Sequence, residues 1–194
     1  GEPIMWTQSA GYRRLGTVPG SRYAQAEAVS EDGRVIVGFG NGSEGVAFRW
    51  TEATGYQMLP AFPGGSFNDR AAHAVTDDGN SIFGWATGPV GAGSGAVRWD
   101  ALGNVVSLDP TYRFAVSSAE GATGDGSFVW GSGRAQGSSG INDPWLWTAS
   151  NGMMPVEDYL GQFGVDFPSG DHVLYLRSIS ANGLVSLRST LCGE

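Results

Sequence analysis

The chain has 194 residues, a formal net charge of −8, and 41% hydrophobic against 15% charged residues, which suits one folded domain and excludes a charge-swollen disordered chain. All eleven basic residues are Arg, so there is no Walker A motif, no Schiff-base lysine, no Ser-x-x-Lys nucleophile and no broad basic face for a nucleic-acid backbone. No run reaches the ~18 apolar residues of a membrane span; Cys192 is the one cysteine, which excludes an internal disulfide and a thiolate metal site, and 32 glycines favour many turns over long helices.

The first residues carry neither the basic nor the apolar region of a secretion signal. They begin with two short strands, PIMWT (3–7) and GYRRLG (11–16). The next stretch reads AEAVS (26–30), an EDG turn, RVIVGFG (34–40), GVAFRWT (45–51) and YQMLP (56–60). These segments are short, β-branched or aromatic, and bounded by Gly, Asp or Pro, as in four antiparallel strands joined by hairpins. The unit recurs as AHAVT (72–76), SIFGWAT (81–87), GAVRWD (95–100) and VVSLD (105–109), then as AEGAT (119–123), FVWGSG (128–133), PWLWT (144–148) and MMPV (153–156). PVEDYLGQFG (155–164) follows, with Val156, Tyr159, Leu160 and Phe163 at helical spacing, two early acids, and Gly164 placed as a C-terminal cap, predicting a short helix near 156–163 that packs on the strands or covers a channel mouth. The last segments, YLRSIS (175–180) and GLVSLRS (183–189), repeat the first two strands of the unit.

Trp6, Trp50, Trp99 and Trp147 lie 44, 49 and 48 residues apart. EDG, DDG and GDG turns (31–33, 77–79 and 124–126) follow at 46 and 47 residues, and an ANG turn (181–183) follows 57 residues later. Four-stranded repeats of ~47 residues over residues 1–194 are the arithmetic of propeller blades. The expected fold is all-β: a monomeric four-bladed β-propeller forming a single domain, in which the N- and C-terminal strands close one composite blade and so remove open sheet edges. An open arc completed by a second copy, or a stack of sheets, are the alternatives. The four repeat tryptophans are expected to fill the space between blades, and the Asp-Gly turns to need no metal, because Asp tolerates the turn and Gly takes positive φ.

AEAVSEDGRVIVGFG (26–40) with GVAFRWT (45–51), the second unit, and VEDYLGQFGVDF (156–167) before SISANG resemble the bacterial extracellular HAF-repeat proteins. The resemblance covers nearly the whole chain and implies a propeller-like β fold and a secreted or cell-surface location, with no chemistry common to the repeats. It departs at LVSLRSTLCGE (184–194), where Arg188 occupies the position of Gly38 and Gly84.

No H-E-x-x-H, G-x-S-x-G or G-x-G-x-x-G spacing occurs. Aligning the first strands on the turns puts Glu27, His73, Glu120 and Arg177 at one equivalent position, a polar ring facing the axis. Such a ring is either a set of mutually paired charges or a polar pocket in which Glu27 and Glu120 hold a cation such as calcium, His73 acts as general base and Arg177 binds ligand. Two functions follow: a binding module for a small molecule or glycan, or a calcium-dependent hydrolase of a lactone or ester.

Overall fold

Short β-branched segments between glycine turns produce sixteen strands and one helix among the described residues. The structure is a computed structural model; it describes residues 1–64, 69–88, 93–137, 143–168, 172–180, 183 and 185–190. β1 (Ile4–Thr7) and β2 (Gly11–Arg14) form a hairpin. Three four-stranded antiparallel meanders follow in chain order: β3 (Ser21–Val29), β4 (Ile36–Gly42), β5 (Gly45–Thr51) and β6 (Gly55–Met58); β7 (Arg70–Val75), β8 (Ser81–Thr87), β9 (Ser94–Asp100) and β10 (Val105–Ser107); β11 (Phe114–Ala122), β12 (Phe128–Ala135), β13 (Asp143–Thr148) and β14 (Gly152–Pro155). The helix α1 (Val156–Gly161) leads to a second hairpin, β15 (His172–Ile179) and β16 (Val185–Thr190).

Each Asp-Gly turn is closed by its own side chains. The Ser30 hydroxyl donates to Asp32 Oδ1 at 2.7 Å, which also accepts from the Arg34 amide, while the Val35 amide donates to Ser30 Oγ. Thr76 and Asp78 repeat the set, as do Thr123 and Asp125. These bonds hold all three carboxyls below their ordinary range, Asp125 at about 2, chiefly through the Ser127 amide and the Thr123 hydroxyl. With Gly33, Gly79 and Gly126 at φ near +70°, each turn is closed by its own side-chain and main-chain bonds. Main-chain bonds also join one turn to the next: Asp77 N–H donates to the Gly124 carbonyl at 2.7 Å and Glu31 N–H to the Asp77 carbonyl at 3.2 Å.

The sheets pack face to face in sequence order, with one apolar cluster at each joint. Val35, Val37 and Leu59 of the first meander meet Ile82, Val97 and Trp99 of the second; Phe83 and Leu108 meet Phe114, Val129 and Trp145 of the third; Leu146 and Val156 meet Val173 and Leu176 of β15. Val156 is fully buried there and the Val173 amide donates to Glu157 at 2.8 Å, so α1 is a packing element. Glycine sets the spacing inside each sheet: a Cβ at Gly84 would stand 1.9 Å from the Ala71 carbonyl oxygen, and Gly38 and Gly131 repeat the fit. β16 has no glycine at this place: the ladder sets Leu187 across from Leu176, one residue before the Arg188 that the sequence alignment puts there.

The two terminal hairpins do not share a sheet. Among the described residues β1 pairs only with β2, and β15 only with β16, so the composite blade expected from the repeat phase is not formed and the sheets run as an open series. The tryptophans divide accordingly. Trp50 and Trp99 are buried and Trp147 half-buried at the joints, as expected, but Trp6 is 69% exposed because no sheet covers the outer face of β1.

Candidate functional site

The four residues aligned from the sequence share one structural cause. In each first strand the ladder skips a residue: Glu27 between Ala26 and Ala28, His73 between Ala72 and Ala74, Glu120 between Ala119 and Gly121, and Arg177 between Leu176 and Ser178. Each is the extra residue of a β-bulge, released from the alternation that buries its neighbours. That is why a charge can recur where Ala flanks it.

The four do not pair with one another. Among the described residues no ion pair links them, and no three His, Cys, Asp or Glu side chains gather as a metal group. Glu120 is exposed and accepts from the Ser132 hydroxyl of its own sheet. The Arg177 guanidinium lies 5.2 Å from the Tyr175 ring centre. Glu27 lines a groove beside β1. His73 alone reaches the next sheet, its Nδ1 donating to the Ala119 carbonyl at 2.9 Å, which orients the ring.

His73 also lines a groove of about 380 Å³ at the joint between the first and second meanders. Phe39 and Trp85, equivalent positions on β4 and β8, contribute rings; Asn41, Ser43 and Glu44 come from the β4–β5 hairpin, and Asp69 and Arg70 from the entry to β7. The Gly45 amide donates to Asp69 Oδ1 at 2.6 Å and the Thr87 amide to the Asp69 carbonyl at 2.9 Å, so Asp69 ties the hairpin to both strands. Arg70 Nε donates to the Leu59 carbonyl at 2.6 Å; burial pulls its guanidinium below the ordinary range, opposed by Glu44 and Asp69. Two aromatic faces, two carboxylates, a guanidinium and an imidazole thus border one concave surface, the mixture of apolar lining and few polar groups that small-ligand sites use. Trp85 also lines a second groove of about 250 Å³ with Ser117, Ser118 and Ser132 at the following joint.

Sequence alignment found His73 but missed Phe39, Glu44, Asp69 and Arg70. These lie in hairpins and strand entries that differ from repeat to repeat; the one available signal is a charged Arg70 opening the small-residue stretch AAHA at 71–74.

No protein-family model and no curated protein matches the sequence. Among solved structures the chain is similar to TolB from Acinetobacter baumannii, with a TM-score of 0.55 and 16% identity over 75% of this chain and 34% of that one. The likeness is one of fold: the meanders form a mostly-β, propeller-type module that spans about a third of the length of its structural neighbour.

Proposed function

We propose that the protein is an exported, non-catalytic binding module of the propeller type that takes a saccharide in the groove between its first two meanders. The observation that carries the reading is the convergence there of Phe39 and Trp85 with Asp69, Glu44, Arg70 and His73. A sugar ring offers C–H faces to aromatic rings and hydroxyls to carboxylates, guanidinium and imidazole at its rim. Secretion or display at the cell surface rests on the resemblance of the repeats to the extracellular HAF-repeat proteins; among the described residues no helix is long and apolar enough to cross a membrane.

The test is titration of neutral and acidic oligosaccharides against the chain by calorimetry and by tryptophan fluorescence. Saturable binding that weakens tenfold or more in both Trp85→Ala and His73→Ala, with melting temperatures held near the parent's, supports the reading. Affinity unchanged in both variants, or no heat with any sugar, overturns it.

A further inference from the structure

The two terminal hairpins are complementary halves of one blade. Trp6 of β1 stands where Trp50, Trp99 and Trp147 stand on the third strand of each complete sheet, and the β15 bulge at Arg177 marks β15 as a first strand. Among the described residues the N-terminal hairpin therefore matches the outer pair of strands of a blade and the C-terminal hairpin the inner pair. Among the described residues the free edges of β1 and β16 have no ladder partner.

Burial records the missing pair independently. On β7 and β11 the alanine just before the bulge, Ala72 and Ala119, is buried because the sheet before it covers that face, whereas Ala74 packs toward the following sheet. On β3, Ala26 is exposed and Val29 is 56% exposed. Between β3 and β1 lies a groove of about 440 Å³, bordered by Ile4 and Trp6, at the place an inner pair of strands would fill. An exposed strand edge beside an exposed apolar face is a template for strand addition.

We propose that β15–β16 of a second copy of this chain fills that groove, with β16 pairing antiparallel to β1, and that the reciprocal contact closes two chains into one ring. The chain's own hairpin reaches the groove only if the three buried joints between the sheets repack, whereas a second copy leaves Trp99, Trp145 and Val156 where they are. The joint is heterologous, one edge meeting a different edge, and two such joints around a two-fold axis close without leaving an edge free. Register follows from the complete sheets. The residue opposite Val29, Val75 or Ala122 is also the one opposite the tryptophan, as in Ile36↔Trp50, Ile82↔Trp99 and Val129↔Trp147. In β15–β16 that residue is Val185, opposite Ile179, so Val185 is placed across from Trp6.

Sedimentation equilibrium of the 194-residue chain is expected to give twice 20.3 kDa. Trp6→Asp, at a side chain exposed in the single copy, weakens association roughly thirtyfold or more, the scale of a buried aromatic anchor, while far-UV circular dichroism is unchanged. In a C192S background, the W6C/V185C pair is expected to form a disulfide between chains under mild oxidation, visible as a two-chain band without reductant, and neither single variant does so. A mass of one copy at 100 µM overturns the proposal, and so does a disulfide formed within one chain, which would place the hairpin in its own groove. A variant that fails to fold is recognised by its dichroism, and the parent's mass then decides.

Discussion

Replacing Trp99 by Ala tests whether the joints between sheets carry the stability. The ring is fully buried against Val35, Val37, Leu59 and Ile82, and its Nε1 donates to the Pro60 carbonyl at 2.9 Å. Removing a buried Trp side chain costs about 3–5 kcal/mol, and leaving the Pro60 carbonyl without its donor adds about 1 kcal/mol. The expected loss is therefore about 4–6 kcal/mol, a large share of the 5–15 kcal/mol by which domains are stable. For a chain of this length that lowers Tm by roughly 8–24 °C, at about 2–4 °C per kcal/mol. Urea unfolding should be followed by far-UV circular dichroism, since tryptophan emission changes with the mutation itself, at one fixed protein concentration because association contributes to apparent stability. Leu102→Ala, at a residue 89% exposed, is the control and should stay within about 0.5 kcal/mol. A Trp99→Ala loss below about 1.5 kcal/mol, well under the range for a buried aromatic, would refute the assignment of the joint as core.

Gly84→Ala is expected to cost about 3 kcal/mol, because the new methyl meets the Ala71 carbonyl oxygen, whereas Gly95→Ala, with open space around it, should be near neutral; chemical denaturation of both compares them directly. Asp125 is held at about 2, so the stability its turn contributes is present above the unfolded carboxyl pKa and is lost as pH falls from about 4 through 2. A carboxyl carbon titration by NMR with a midpoint for Asp125 near 4 would contradict this. Excess calcium is expected to leave Tm unchanged, since Glu27 and Glu120 stand on separate sheets with no third ligand beside them among the described residues. A calcium-dependent rise abolished by Glu27→Gln with Glu120→Gln, together with turnover of a lactone or ester that falls in His73→Ala, would instead establish the hydrolase.

Strand positions were legible because they are local. Period-2 segments between glycine turns specify β4, β8 and β12 from a dozen residues each, and the Ser/Thr-x-Asp-Gly signature closes its turn with bonds spanning two to five residues. Closure was not legible, because phase says which half-blade each terminus carries but not the angle at which three joints set the sheets. Trp6 shows the difference: its sequence position equals that of Trp99, yet burial belongs to the neighbouring sheet and not to the residue. Likewise the alignment placed Glu27, His73, Glu120 and Arg177 at one equivalent site, the bulge, but periodicity is blind to the loops that bring Glu44 and Asp69 beside His73.

The bulge has a consequence for how such a chain diversifies. Side chains on a regular strand answer to one packed face or the other, so changing them disturbs a joint; the extra residue answers to neither. Each repeat therefore holds one slot whose chemistry can be exchanged while the alanines on either side keep the sheets seated. An acid, an imidazole, a second acid and a guanidinium now occupy the four slots. A substitution in one slot therefore changes the side chain that repeat presents while the frame stays the same.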